Sequence, residues 1–187
     1  MRGYFGIGVE GVSKAMNVGS LFRTAHAFDA AFVFTVAAAY PRKVGGHADT
    51  SDTPGHVPFY EFPDIDSMLL PEGCVLIGVE LTDEAVELPS FYHPQTAAYV
   101  LGPERGSLSP ELTARCHSVV KIPTRFSVNL GIAGAIVMYD RTISLGRFAR
   151  RPDSLLAEPE PLPEPVFGDP KIRTEMDRFR GTPPDDD

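Results

Sequence analysis

The sequence has few of the residues that build disulfide frameworks and metal centres. It holds two cysteines, Cys74 and Cys116, which lie far apart and have no CxxC partner. The five histidines are scattered and form neither HxH nor HxxxH pairs. We therefore expect reduced thiols, no bound metal and a cytoplasmic location rather than a disulfide framework or a zinc site.

Long hydrophobic runs are also absent. No apolar run reaches the roughly 18 residues that suggest a membrane span. The first residues, MRGYFGIGVEG, are not expected to form a signal peptide, because their apolar part is short and is followed by Glu10. The 187 residues are 43% hydrophobic and 22% charged, which is typical of a soluble globular domain with a sizeable core.

An excess of basic residues is missing as well, and the net charge of −8 argues at first against a nucleic-acid partner. The charge is unevenly distributed, however. Residues 151–187 hold 10 acidic and 5 basic side chains, a charge of −5, whereas residues 1–150 hold 15 and 12, a charge of −3. Most of the acidity lies in the tail, so the body can still present a local basic patch.

Strand-like and helix-like segments alternate along residues 4–148, which predicts an α/β fold with a mostly parallel sheet. Apolar, β-favouring runs predict strands at 4–11, 30–38, 59–62, 74–81, 97–102 and 118–123. Helical patterns predict helices at 17–28, 65–70 and 128–148, and Ser109-Pro110-Glu111 is typical of a helix start. The last helix is apolar nearly all round from Leu130 to Met138, which predicts deep burial. Residues 40–58 are rich in Gly, Pro, Asp, Thr and His, which predicts a long loop. A loop of this length inside a compact domain is more often functional than not.

The composition changes near Pro152, which predicts a domain over residues 1–150 and an acidic, proline-rich extension over 151–187. The stretch AEPEPLPEPVFGDP has proline at every second or third place and predicts an extended segment. The end, GTPPDDD, is expected to be disordered, and residues 171–180 could form one short helix.

Three chemically marked segments lie where the ligands of α/β sheets gather, at the carboxyl ends of predicted strands. They are NVGSLFR (17–23), LGPERGSL (101–108) and IPTRFSVNL (122–130). Each has a simpler explanation when taken alone. The first can be a helix cap with Arg23 as a solvated charge, the second a tight turn that exposes Glu104, and the third an N-cap made by Ser127.

Together the segments match NxGxxxR, LGxExxxL and IP…SxN followed by an apolar helix. In this order they resemble the three motifs of the TrmH-type (SpoU) RNA 2′-O-ribose methyltransferases of the SPOUT superfamily, over about residues 4–148. The resemblance implies a doubly wound α/β domain with a deep C-terminal trefoil knot. It also implies S-adenosylmethionine as cofactor, and a homodimer that pairs through the C-terminal helix so that each site borrows residues from its neighbour.

The resemblance further implies methyl transfer to a ribose 2′-hydroxyl of RNA. We expect tRNA rather than ribosomal RNA, because a small dimer can grip compact stem-loops. The implied catalytic residues are Asn17, Arg23, Glu104, Ser127 and Asn129. Arg23 is expected to be essential, either as the proton acceptor or, since a guanidinium normally stays protonated, as a clamp on a phosphate.

The remaining implied contacts are with the cofactor and the RNA strand. The cofactor is expected to lie among Leu101, Gly102, Gly106, Ile122, Val128 and Leu130. The cations expected to contact RNA are Lys14, Arg42, Lys43, Arg105 and Arg125. Two features depart from the family pattern. The third segment is short between Pro123 and Ser127 and lacks the usual methionine, and no separate N-terminal RNA-binding domain is expected.

Two other functions stay open at this stage. The chain can be an enzyme of the same superfamily that methylates a base, or a non-catalytic RNA-binding protein of the same fold. The residues do not predict which nucleotide is modified or what the acidic extension does.

Overall fold

The computed structural model describes residues 3–38, 56–103, 106–155 and 157–162. The chain divides into two units, Met1–Gly146 and Arg147–Asp187. The described residues of the second unit contain no helix or strand, and Arg150 forms an exposed ion pair of 3.6 Å with Asp153. The loop expected at 40–58 and the helix considered at 171–180 fall wholly or mostly outside the described residues.

Seven strands of the first unit form one sheet, and all pairings described are parallel. The strands are β1 (Tyr4–Glu10), β2 (Phe32–Val36), β3 (Phe59–Phe62), β4 (Val75–Val79), β5 (Val86–Glu87), β6 (Thr96–Leu101) and β7 (Ser118–Lys121). Their order across the sheet is β3-β2-β1-β6-β4-β7-β5. The predicted α/β fold with a mostly parallel sheet is confirmed, and the strand order is consistent with the knot that the resemblance implies.

Three α-helices and one short 3-10 helix complete the described part of the first unit. They are α1 (Ala15–Ala27), α2 (Pro110–Arg115), α3 (Leu130–Leu145) and the 3-10 helix Leu88–Ser90. The predicted start of α2 is confirmed, because the Ser109 hydroxyl accepts a hydrogen bond from the Leu112 amide at 3.1 Å and Pro110 occupies the first helical position.

The core lies on both faces of the sheet. On one face α1 and α3 cover β1 and β6, and they approach so closely that a Cβ at Gly134 would lie 2.2 Å from the Leu21 side chain. On the other face Phe34, Leu76 and Leu112 belong to a second buried cluster. Each fully buried side chain of this kind contributes about 1.5–3 kcal/mol to folding.

A buried polar cluster ties α3 to the amino ends of β1 and β6. We call His93, Tyr99, Asp140 and Arg141 the amino-end cluster. His93 Nδ1 lies 2.6 Å from Tyr99 Oη, and His93 Nε2 lies 2.9 Å from Asp140 Oδ2. The Arg141 guanidinium donates to Tyr99 Oη and to the backbone carbonyls of Tyr4, Pro94 and Gln95. The buried polar groups of the cluster are therefore satisfied by one another and by backbone.

Two sequence expectations are wrong, and one strand was not expected. Residues 65–70 are not helical, because the Asp64 carboxylate accepts the Ser67 amide at 2.8 Å and closes a turn, and Pro71 disfavours helix in the residue before it. The seventh strand, β5, was not predicted because it is only two residues long. The deep burial expected for α3 does not extend around the helix, since Ile132 is 55% exposed and Tyr139 is 54% exposed.

Candidate active site

The three marked segments converge on one cavity at the carboxyl ends of β4, β6 and β7. The cavity has a volume of about 320 Å³. Its walls include ten of the residues expected at the site: Lys14, Asn17, Leu101, Gly102, Gly106, Ile122, Ser127, Val128, Asn129 and Leu130. The grouping of polar and apolar residues that the sequence suggested is therefore present in space.

The register of the sheet explains why the second segment enters the cavity. Val9 of β1 and Val79 of β4 both pair with Leu101, so β6 ends between these two strands and the chain leaves it at Gly102. A Cβ at Gly102 would lie 2.9 Å from Glu80 Oε2 and 3.0 Å from the Leu108 amide nitrogen. Gly106 has a φ of +138°, which a residue with a side chain rarely adopts. Gly106 is therefore required by its backbone conformation, whereas Gly102 is favoured by close packing against Glu80 and Leu108.

A hydrogen bond joins the first segment to the third. Asn129 Nδ2 donates to Asn17 Oδ1 at 3.3 Å, and Asn129 Oδ1 accepts the Gly131 amide at 2.9 Å. Asn129, rather than Ser127, is thus the N-cap of α3, which corrects the simpler explanation of the third segment. Ser127 is exposed and lines the cavity. The bond between the two asparagines connects the two segments at the cavity wall.

Two of the expected arginines lie outside the cavity wall. Arg23 and Arg125 are exposed, and neither contributes to the lining. The step of six residues from Asn17 to Arg23 turns the helix so that the two side chains point about 120° apart around α1. The role assigned to Arg23 stays a prediction. Glu104 and Arg105, like Arg42 and Lys43, lie outside the described residues, and their roles stay predictions too.

One charged residue of the cavity, Glu80, was not expected from the sequence. Its carboxylate accepts the Leu108 amide at 2.9 Å and the Leu81 amide at 3.1 Å. A signal was present in the sequence, because the tripeptide Gly-Val-Glu occurs at 8–10 and again at 78–80. Other cavity residues that were not expected are apolar or small: Val79, Leu81, Pro103, Thr124 and Ala133.

A second, more open groove of about 590 Å³ runs between α1 and α3 beside the cavity. Ser20, Thr24 and Phe28 form its α1 wall, and Asn129 belongs to both the groove and the cavity. The α3 wall is formed by Gly131, Ile132, Ala135, Ile136 and Tyr139. The exposed side chains of α3 thus continue an apolar surface that begins at the rim of the cavity.

The described residues show no group of three or more histidine, cysteine or acidic side chains that could hold a metal ion. Cys116 lies next to the β4 backbone, and burial, followed by the nearby Glu10 charge, raises the pKa of its thiol to about 11. It is therefore protonated near neutral pH and is not a nucleophile there. Within the same described ranges, no helix is long and apolar enough to cross a membrane.

Comparison with known proteins places these features in one family. Residues 5–139 match the SpoU rRNA Methylase family. An AdoMet-bound rRNA methyltransferase from Sinorhizobium meliloti is 18% identical, with a TM-score of 0.69, over 79% of this chain and 59% of that one. The SpoU methyltransferase AviRb from Streptomyces viridochromogenes in complex with AdoMet is 21% identical, with a TM-score of 0.68, over 79% and 60%.

A third structure, solved to explain 2-OH methylation of C/U34 on tRNA, is 21% identical, with a TM-score of 0.63, over 76% of this chain and 91% of that one. The chain spans about 60% of the length of the first two. No protein of curated function matches it significantly in sequence. At these identities the structures establish the shared fold, whereas the family match covers most of the chain. The chain belongs to the SpoU family of RNA methyltransferases.

Proposed function

We propose that the chain transfers the methyl group of S-adenosylmethionine to a ribose 2′-hydroxyl of RNA, with tRNA as its substrate. The observation that carries this proposal is the single cavity in which Asn17, Gly102, Ser127 and Asn129 meet. These residues come from three separate segments, and an accidental pocket would not collect all three. The family is one of RNA methyltransferases, and two similar solved structures hold AdoMet.

The cavity fits this cofactor in size and in chemistry. Its volume of about 320 Å³ lies within the range of about 300–1,000 Å³ that is typical of small-molecule sites. Leu101, Ile122, Val128 and Leu130 provide apolar walls for an adenine ring. The lack of a Cβ at Gly102 lets this part of the cavity wall pack closely against Glu80 and Leu108. When bound, the cofactor supplies a methyl group that its sulfonium has already activated.

The residues of the chain must then hold the ribose and manage its proton. A ribose hydroxyl is a weak nucleophile, so a group near it must accept or share the proton as the methyl group arrives. The Asn17 and Asn129 side chains are joined by a hydrogen bond, and Ser127 lines the same cavity. Lys14 lies at the rim, where an ammonium group can hold a phosphate. Such orientation can supply roughly 7–11 kcal/mol of the rate acceleration.

Arg23 acts in this proposal on the cavity of a second copy of the chain. The exposed apolar side chains Ile132, Tyr139 and Ile143 lie along one face of α3, and α1, which carries Arg23, forms the other wall of the groove. A homodimer that closes over this groove covers the apolar surface. It also brings an exposed arginine of one protomer toward a polar cavity of the other, where it clamps the phosphate or takes the proton.

Nucleoside mass spectrometry of RNA from cells that lack the gene tests the proposed reaction. We expect the loss of a 2′-O-methylated nucleoside from tRNA, which returns with the wild-type gene and not with an Arg23→Ala copy. Loss of a base-methylated nucleoside alone would contradict ribose methylation. Loss confined to ribosomal RNA would assign the enzyme to that substrate instead.

Titration calorimetry with S-adenosylhomocysteine, the product form of the cofactor, distinguishes a methyltransferase from a non-catalytic RNA-binding protein of the same fold. A methyltransferase binds this compound in the cavity, and an Ile122→Asp variant, which places a charge on an apolar wall, should lose the binding. If the folded wild-type protein released no heat with either form of the cofactor, an RNA-binding role without catalysis would be favoured.

A further inference from the structure

Two glutamates stand on either side of the cavity segment that follows β6. The tripeptide Gly-Val-Glu ends β1 with Glu10 and recurs with Glu80 directly after β4. Because Val9 and Val79 both pair with Leu101, Glu10 and Glu80 are the next residues along the two strands that flank Gly102. In parallel strands that are in register, residues at the same level face the same side of the sheet. The two carboxylates therefore face the same side as Gly102.

Both carboxylates bind the backbone of what we call the glycine segment, residues 102–103 and 106–109. Glu80 Oε2 accepts the Leu108 amide at 2.9 Å, and Glu10 Oε2 accepts the Ser109 amide at 2.8 Å. These are consecutive amides, each held by a charged acceptor from a different strand. Hydrogen bonds to charged acceptors are shorter and about twice as strong as neutral ones. The end of the glycine segment is thus held from two sides.

The two glutamates differ in what else they touch. Glu10 is 6% exposed and does not belong to the cavity wall, so its contacts are with protein alone. Glu80 is partly exposed and lines the cavity. A Cβ at residue 102 would lie 2.9 Å from the Glu80 Oε2 atom and 3.0 Å from the Leu108 amide nitrogen, so the glycine lets these groups pack closely. Glu80 therefore both binds the backbone of the glycine segment and forms part of the cavity wall.

We propose that Glu80 is a positioning residue of the methyl-donor cavity. Its carboxylate, with Glu10 opposite, holds the glycine segment in the conformation in which Gly102 and Gly106 form the cavity wall. The inference rests on the proposed function, because it takes the cavity to be the site of the methyl donor. It adds to that site a residue that lies outside the three marked segments. The pairing of β4 with β6 places this residue beside Gly102.

Glu80→Gln tests the inference, because the amide keeps the shape of the side chain and loses its charge. Its NH2 group can also face the Leu108 amide, where no hydrogen bond forms. We expect faster hydrogen exchange at the Leu108 amide in the protein without ligand. We also expect about tenfold weaker binding of S-adenosylhomocysteine, because binding must then order a segment that the wild-type protein already holds in place.

The kinetic parameters separate positioning from general damage. With saturating methyl donor, kcat of Glu80→Gln should stay within about threefold of wild type while KM for the donor rises about tenfold, because the loss concerns the donor cavity. The matched control is Glu111→Gln, an exposed glutamate in the first turn of α2, which should change none of these quantities. Glu10→Gln should increase exchange at the Ser109 amide from the other side of the segment.

Wild-type protein supplies a measurement that does not depend on the folding of a variant. The Leu108 and Ser109 amides should already be protected from exchange before any cofactor is added, and fast exchange there would overturn the inference. Unchanged donor affinity in Glu80→Gln would overturn it as well, and so would weaker affinity with unchanged exchange at Leu108. If wild-type protein bound no cofactor, the proposed function would fail and the role of Glu80 with it. If both proteins bound equally, only the role of Glu80 would fail.

Discussion

The two ends of the parallel sheet treat polar side chains in opposite ways. At the amino ends of β1 and β6, the amino-end cluster satisfies its own hydrogen bonds, and Arg141 is 5% exposed. At the carboxyl ends of β4, β6 and β7, the exposed residues Lys14 and Ser127 line a cavity. Polar groups that are paired internally stabilise a fold, whereas those that face a cavity are available to a ligand.

This contrast separates two kinds of arginine in one chain. Arg141 donates to three backbone carbonyls and to Tyr99, and its guanidinium lies 5.4 Å from the centroid of the Phe5 ring. Arg23 is exposed on α1 and forms no ion pair with any residue that the structure describes. Arg141 should therefore matter for stability and Arg23 for turnover.

The largest effect is expected on the free energy of unfolding, from a substitution in the amino-end cluster. Arg141→Met should lower the free energy of unfolding by about 3–5 kcal/mol, because the Tyr4, Pro94 and Gln95 carbonyls would lose a buried charged donor. Urea unfolding measures this loss, with Arg147→Met, an exposed arginine, as the control. A loss below about 0.5 kcal/mol, the range of ordinary surface substitutions, would show that the cluster is not structural.

At the carboxyl end, Arg23→Ala should reduce kcat by about a hundredfold or more, which corresponds to at least about 2.7 kcal/mol of transition-state stabilisation. Affinity for S-adenosylhomocysteine should stay within a few fold, because Arg23 does not line the cavity of its own protomer. The free energy of unfolding should change little. Arg150→Ala, which removes an exposed arginine of the second unit, is the control. Near-normal turnover by Arg23→Ala would contradict the site assignment.

Asn129 both caps α3 and lines the cavity, so it should affect stability as well as activity. Two substitutions separate these roles. Asn129→Ala should lower the free energy of unfolding by about 1 kcal/mol through loss of the α3 cap, and it should also weaken cofactor binding and turnover. Asn129→Asp keeps an oxygen for the Gly131 amide but removes the donor to Asn17. We therefore expect it to keep stability and lose activity. Equal activity in Asn129→Asp and wild type would mean that Asn129 is only a cap.

The smallest effect expected is a pH dependence that arises at the amino end. Burial lowers the pKa of His93, against an opposing contribution from Asp140, so the folded state favours the neutral ring. The stabilisation is fully present above the unfolded histidine pKa of about 6.5 and is lost as the pH falls below it. Urea midpoints at pH 7.5 and pH 5 should therefore differ more for wild type than for His93→Gln. The exposed His117→Gln serves as the control, and equal pH dependence in wild type and His93→Gln would exclude His93 as the cause.

Much of the fold was predictable because most of its strands are runs of apolar, β-favouring residues. Continuous apolar runs marked β2, β4 and β6, and the Ser109-Pro110 pair marked the start of α2. The segments that failed are short or governed by side chains. Two residues of β5 carry no periodic signal, and a turn closed by Asp64 competes successfully with a helix at 65–70. Local hydrogen bonds of this kind are invisible to a count of apolar spacing.

The candidate site was predictable where spacing within a segment carried the information. Asn17, Gly102, Ser127 and Asn129 were expected together, and they line one cavity. Glu80 was missed, since its contact with Leu108 depends on which strands flank β6, and strand order is not written in any local pattern. Arg23 raises a further difficulty, because its proposed target belongs to a second copy of the chain.

The most direct test of the proposed site is transfer of labelled methyl groups from S-adenosylmethionine to purified total tRNA and, separately, to ribosomal RNA. Wild-type protein should label tRNA, and after digestion the label should appear in 2′-O-methylated nucleosides. The Arg23→Ala variant should transfer methyl groups at least about a hundredfold more slowly than wild type. Label found only in base-methylated nucleosides would contradict methylation of the ribose. No label in either RNA, from a protein that binds the cofactor, would contradict methyl transfer to RNA.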